Sequence, residues 1–202
     1  MSRIVSSLAI VAALATPVLA DAALTKDAAK VEAGTYAVEP NHTQVGFSVS
    51  HFGFSTYKGL FQKTSGTLVL DPAKPDASKI DVTVATDSVY TPSDKLTGEL
   101  KSADWLDAAK FPEITFKSTK VEKTGPESAK VTGDLTLHGV TKPVTLTAKF
   151  FGAGANPMSK KYTAGFEVTG KIKRSDFGVK TYVPVIGDEV DLSISAPFEK
   201  QS

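Results

Sequence analysis

The 202 residues contain no cysteine. That excludes disulfides, thiolate metal sites and a thiol nucleophile. Histidine is scarce, at three residues. His42 and His51 fall on opposite parities, so in one continuous strand they would face opposite ways and could not share an ion. A structural zinc site lacks ligands. The sequence has no Ser–His–Asp setting, no nucleophile elbow and no glycine-rich phosphate loop beside a helix. Asp104 and Asp107 come closest to paired carboxylates, and in a short helical stretch they read as a solvated face. Nothing demands an enzyme, and neither a catalytic residue nor a metal ligand is assigned. Arginine is also scarce: Arg3 and Arg174 stand against 21 lysines.

Residues 1–20 read as a secretory signal peptide. Arg3 gives a positive start, Ile4 to Leu19 is apolar with small residues, and Val18-Leu19-Ala20 is a small-residue cleavage site. Cleavage after Ala22 fits as well. The apolar run is short for a spanning helix, which needs about 20 residues. An exported chain without cysteine points to the bacterial periplasm, where Asn41-His42-Thr43 is a chance glycosylation motif. After cleavage 22 basic and 22 acidic residues remain, which leaves no basic excess for nucleic acid. The remaining length can support a core without staples.

Residues 21–33 are Ala- and Lys-rich without a clear period, and read as a flexible leader. From residue 34 the chain alternates with period two. Val45, Phe47, Val49 and His51 share a face. So do Ile80, Val82, Val84 and Thr86, and also Val190, Leu192, Ile194 and Ala196. Val131 to Leu137 and Val144 to Phe150 form a hairpin around Gly139 and Pro143. His138 lies on its wet parity as a turn residue, and Pro143 belongs at a strand start or edge. Tyr162 to Lys173 is the longest alternation, about 40 Å if fully extended. Gly59 and Gly66 are candidate bends. Pro92 to Phe111 predicts one or two short helices capped by Ser93 and Ser102 and ended by Pro112. Eight or nine antiparallel strands with so little helix fit either a sandwich or a barrel.

Two polar residues stand out. His51 continues an apolar face, so it is either hydrogen-bonded at the rim of the core or a polar contact for a ligand. Arg174 ends the longest strand. It either pairs locally with Asp176 or another carboxylate, or contacts an anionic head group.

Taken together, several segments resemble the YceI-like family of exported lipid-binding proteins. They are YAVEPNHT at 36–43, VGFSVSHFG at 45–53, GLF at 59–61, SVYT at 88–91, LKSADWLD at 100–107, FPEITFKST at 111–119, GDLTLHGVTKPV at 133–144 and RSDFG at 174–178. The resemblance implies an elongated, eight-stranded antiparallel lipocalin-like barrel over residues 34–202. Inside it a long apolar tunnel would bind an isoprenoid lipid, an isoprenoid quinone or a similar amphiphile, with no other cofactor. It implies non-enzymatic storage or transport, transient membrane contact and a homodimer. By parity the lining would be Phe47, Val49, Phe116, Leu135, Leu137, Leu146, Phe150, Phe166, Val168 and Ile172, with His51 and Arg174 at the rim. The alternative is a filled barrel that serves a membrane-bound partner, as a quinone-linked redox or stress accessory. Two places depart from the family pattern: EPNHT at 39–43, and KLTGEL at 95–100, where a basic residue and a histidine are expected.

Overall fold

Alternation of β-branched and polar residues yields strands over nearly the whole chain, because such residues fit a pleated, half-buried surface. The computed structural model describes residues 24–201. The expected signal peptide lies outside them. The first strands are short: β1 (Gly34–Val38), β2 (Gln44–His51), β3 (Ser55–Phe61), β4 (Thr64–Leu70), β5 (Lys79–Ala85) and β6 (Val89–Tyr90). One helix follows, α1 (Asp94–Lys101), and then long strands: β7 (Glu113–Lys123), β8 (Ser128–Leu137), β9 (Val140–Ala155), β10 (Tyr162–Lys173) and β11 (Ile186–Lys200).

All ladders are antiparallel. The circuit runs β1-β4-β5-β7-β8-β9-β10-β11 and closes from β11 back to β1, giving a closed eight-stranded barrel. Three staves are broken in two. β1 and β2 both pair with β11, β1 at its C-terminal end and β2 nearer its start. β3 and β4 pair with β2 and β1 in the same way, and β6 prolongs the line of β5 against β3. The break between β3 and β4 falls at Gln62–Lys63. Both expected bends, Gly59 and Gly66, lie inside strands. Gly59 is needed there because a Cβ would meet the Phe47 ring at 2.4 Å.

β8 and β9 are joined by His138 and Gly139 alone, both at positive φ, the conformation of tight hairpin turns that match strand twist. Pro143 lies inside β9, not at its start, in the part that pairs with β8 only. β9 and β10 separate beyond the Thr147–Thr169 pair. Near the resulting wedge lies a 3₁₀ turn, Arg174–Phe177, with Phe177 buried. β11 runs through Pro197 to Lys200, past the expected end at Ala196.

Among the described residues a single α-helix forms. Ser93 caps it through a bond from the Leu96 N–H, and it stops at Ser102, ten residues before Pro112. No helix among the described residues is long and apolar enough to cross a membrane.

The stretch expected as a flexible leader is folded onto the barrel from residue 24. Thr25 and Ala153 exchange backbone hydrogen bonds of 2.7 and 3.0 Å. Ala28–Lys30 form a 3₁₀ turn in which the Ala29 N–H donates to the Asp27 carboxylate at 3.0 Å. Val31 enters a core cluster with Tyr36, Leu68, Phe150 and Phe198. That cluster closes the wall at the end of the barrel where β4, β9 and β11 finish.

Candidate functional site: an apolar cavity along the barrel axis

Inward parity on neighbouring strands places apolar side chains facing one another around the axis. They do not fill it. A cavity of about 310 Å³ remains, within the usual range for small-molecule sites. Val45, Leu68, Val82, Leu135, Phe150 and Ile194 are among its walls. One end opens between the leader turn at Ala28 and Ala29, the β4–β5 loop at Pro72 and Pro75, and the β7–β8 hairpin from Lys123 to Ser128. Lys123 and Glu127, both at this mouth, are the charged residues of the lining.

The far end is packed. Thr64, Val84 and Ile114 are in register on three adjacent strands, and all three line the cavity. Past Val45, Phe47 and Phe61 meet at 5.7 Å between ring centroids, and neither reaches the open space. The barrel is therefore open toward the mouth and filled beyond this layer.

Eight of the twelve residues expected at the site line the cavity: Phe116, Leu135, Leu137, Leu146, Phe150, Phe166, Val168 and Ile172. The other four do not. Phe47 fills the packed end against Phe61. Val49, paired with Tyr57 and Val190, lies deeper in that end. His51 ends β2, and its ring packs edge-on against Phe52 at 4.5 Å and near Tyr57 at 6.2 Å. It is an aromatic contact at the packed end, not a hydrogen-bonded rim residue.

Arg174 is a further correction. The residue is 5% exposed, and its guanidinium donates to three backbone carbonyls: Nε to Gly187 at 2.9 Å, Nη1 to Val179 at 3.1 Å and Nη2 to Ile186 at 2.9 Å. It also lies 5.3 Å from the Trp105 ring centroid. Asp176 pairs instead with Lys142. Burial draws the Arg174 pKa down, and Asp188 opposes that shift. The planar fork of arginine suits three converging carbonyls, so Arg174 holds the β10–β11 connection and stands outside the cavity lining. His138 is likewise engaged: its Nδ1 lies 3.2 Å from the Phe177 carbonyl and its ring against Phe111.

Alternation had already placed Ile80, Val82, Val84, Leu192, Ile194 and Ala196 on one face each, and they join the lining. Thr64, Ala28 and Ala29 had no signal in the sequence, because they sit at a strand break and in an aperiodic segment.

The model of the YceI-like domain matches residues 36–198, nearly the whole barrel. The chain belongs to the YceI-like family. It is 47% identical over 163 residues to Protein YceI of Escherichia coli O6:H1, an alignment covering 81% of this chain and 84% of that protein. It is 45% identical over 157 residues to a UPF0312 protein of Pseudomonas syringae pv. syringae, covering 78% and 81%. Among solved structures, BcnA of Burkholderia cenocepacia superposes with a TM-score of 0.72 at 26% identity, covering 79% of this chain and 98% of that one. A polyisoprenoid binding domain from Saccharophagus degradans superposes with a TM-score of 0.62 over 84% of this chain and all of that one. At 15% identity, that likeness is one of fold. The YceI-like barrel seen here is thus closed, eight-stranded and antiparallel, as the resemblance implied.

Proposed function

We propose that this YceI-like barrel binds a long, mainly apolar amphiphile of the isoprenoid type in its axial cavity and carries it without making or breaking a bond. The observation that carries this reading is the cavity itself: about 310 Å³, walled by apolar side chains and open at one end. The polyisoprenoid-binding description of the Saccharophagus degradans domain supports the ligand class. The filled-barrel alternative needs side chains packed along the full axis, and here they pack only the far end. The export signal read at residues 1–20 supports a periplasmic location. There a carrier would meet a bilayer transiently to load and unload.

The energetics set the character of such binding. Each methylene moved out of water gains about 0.8 kcal/mol. A bilayer offers the same chain nearly the same gain. Net preference for the protein must come from shape and from the few polar contacts in the cavity, so affinity against membranes is modest and exchange is feasible.

The test is native mass spectrometry of protein purified from its own host, with a lipid extract of the same sample. The expected result is a mass excess that organic solvent releases as an isoprenoid lipid. Bare polypeptide mass in every preparation would overturn the proposal.

A further inference from the structure

Thr64 is the first residue of β4 and shares inward parity with Leu68 and Leu70. The residue is 8% exposed, and its Oγ1 is buried with no hydrogen-bond partner. A buried hydroxyl left unpaired is unfavourable, and native proteins keep few of them. Among the described residues two other hydroxyls, of Tyr57 and Thr86, are in the same condition. Neither lines the cavity, whereas Thr64 stands between it and a polar recess on the outside beside Lys63 and Glu113. Thr43 also lines it, but its hydroxyl already donates to the Glu39 carbonyl at 2.7 Å.

Position decides which chemistry Thr64 can meet. It lies in the layer with Val84 and Ile114, six residues and about 20 Å of strand from Leu70 at the mouth. No charged side chain lines that layer. Lys123 is at the mouth, and Arg174 is outside the lining with three carbonyls on its guanidinium. An ionised head group taken there would be desolvated without a counter-charge, at severe cost. An uncharged hydroxyl or carbonyl would instead satisfy Thr64 while its own desolvation is offset.

We propose that Thr64 is a specificity-determining contact of the cavity, hydrogen-bonding an uncharged hydroxyl or carbonyl group of the occupant at the far end. The inference rests on the carrier reading above and adds an orientation: a ligand with a neutral polar end enters that end first. An ionised head group stays at the mouth.

The experiment compares a polyprenol with squalene, an isoprenoid hydrocarbon with no polar end, on wild type, Thr64→Val and Thr64→Ser. Thr64→Val keeps the shape and removes the hydroxyl. It should weaken polyprenol binding about fivefold to tenfold and leave squalene unchanged. Thr64→Ser should retain polyprenol binding. The ligand-free Thr64→Val protein should unfold at the wild-type temperature or above, because an unpaired polar group has been removed. Unchanged polyprenol affinity, equal losses for both ligands, or a lowered unfolding temperature would each overturn the inference. If wild type binds both probes and Thr64→Val changes neither, only the role of Thr64 falls. If wild type binds neither probe, the carrier reading falls with it.

Discussion

Arg174 Nη2 donates to the carbonyl oxygen of Ile186, 2.9 Å away and twelve residues further along the chain. With the bonds to Val179 and Gly187, this fixes both ends of the β10–β11 connection to one side chain. Lysine cannot present three donors in that plane. Arg174→Lys should therefore leave buried carbonyls unpaired and cost about 3 kcal/mol, a fall of roughly 10 °C in Tm for a chain of this size. Thermal and denaturant unfolding measure it. Binding of a prenyl phosphate, which carries an anionic head group, by the folded fraction should not change. A loss of binding at full stability would return Arg174 to the ligand.

Asp188 holds the same connection from the other side. It accepts hydrogen bonds from the Ser175 N–H at 2.9 Å and the Ser175 hydroxyl at 2.8 Å. Its pKa is lowered, first by the backbone bond from Ser175. Burial opposes the shift, and the Ser175 hydroxyl, Arg174 and Lys173 add to it. A carboxylate whose folded pKa lies below its unfolded value of about 3.9 stabilises the fold above that value, and the contribution is lost as pH falls through the folded pKa. Asp188→Asn should thus lower Tm at pH 7, and the gap from wild type should close as pH falls through the lowered pKa. A gap independent of pH would show that charge is not its source.

Phe166 stands between Phe150 and Phe198, at 5.8 and 6.2 Å between ring centroids, and borders the open space. Phe166→Trp places extra volume in the cavity, with an overpacking cost of about 1–3 kcal/mol. Ligand occupancy in native mass spectra should drop while strand content by circular dichroism is kept. Full occupancy with an unchanged ligand mass would show that the ligand sits elsewhere.

Much of the barrel was legible because period two marks strand faces directly. Tyr162 to Lys173 forms one strand over those same residues, and the hairpin around Gly139 is a two-residue connection. Pattern does not reveal pairing. The alternation of the last strand ended at Ala196, yet β11 runs on because Phe198 to Lys200 pair with β1. Pattern also does not reveal emptiness. Phe47 and Phe166 alternate alike, but Phe47 packs against Phe61 while Phe166 faces open space. Arg174 announces its residue type, not its direction, and three carbonyls collected by a folded loop leave no periodic trace. Thr64 was invisible for a related reason: the fact that matters is a missing partner.

The leader at the mouth bears on time as well as shape. Ala28 and Ala29 border the opening, and the segment that carries them is joined to the wall by the Thr25–Ala153 bridge. Every barrel stave has a ladder on each side, whereas this piece has one backbone bridge, helped by the bond from Lys26 to the Phe151 carbonyl and by the burial of Val31. Segments with so few backbone bonds open at far lower free energy than the strands beside them. Widening the entrance therefore requires a few residues to peel away while the barrel stays intact. For a bound chain, the rate of arrival and escape would follow that local opening and be insensitive to the global stability of the fold.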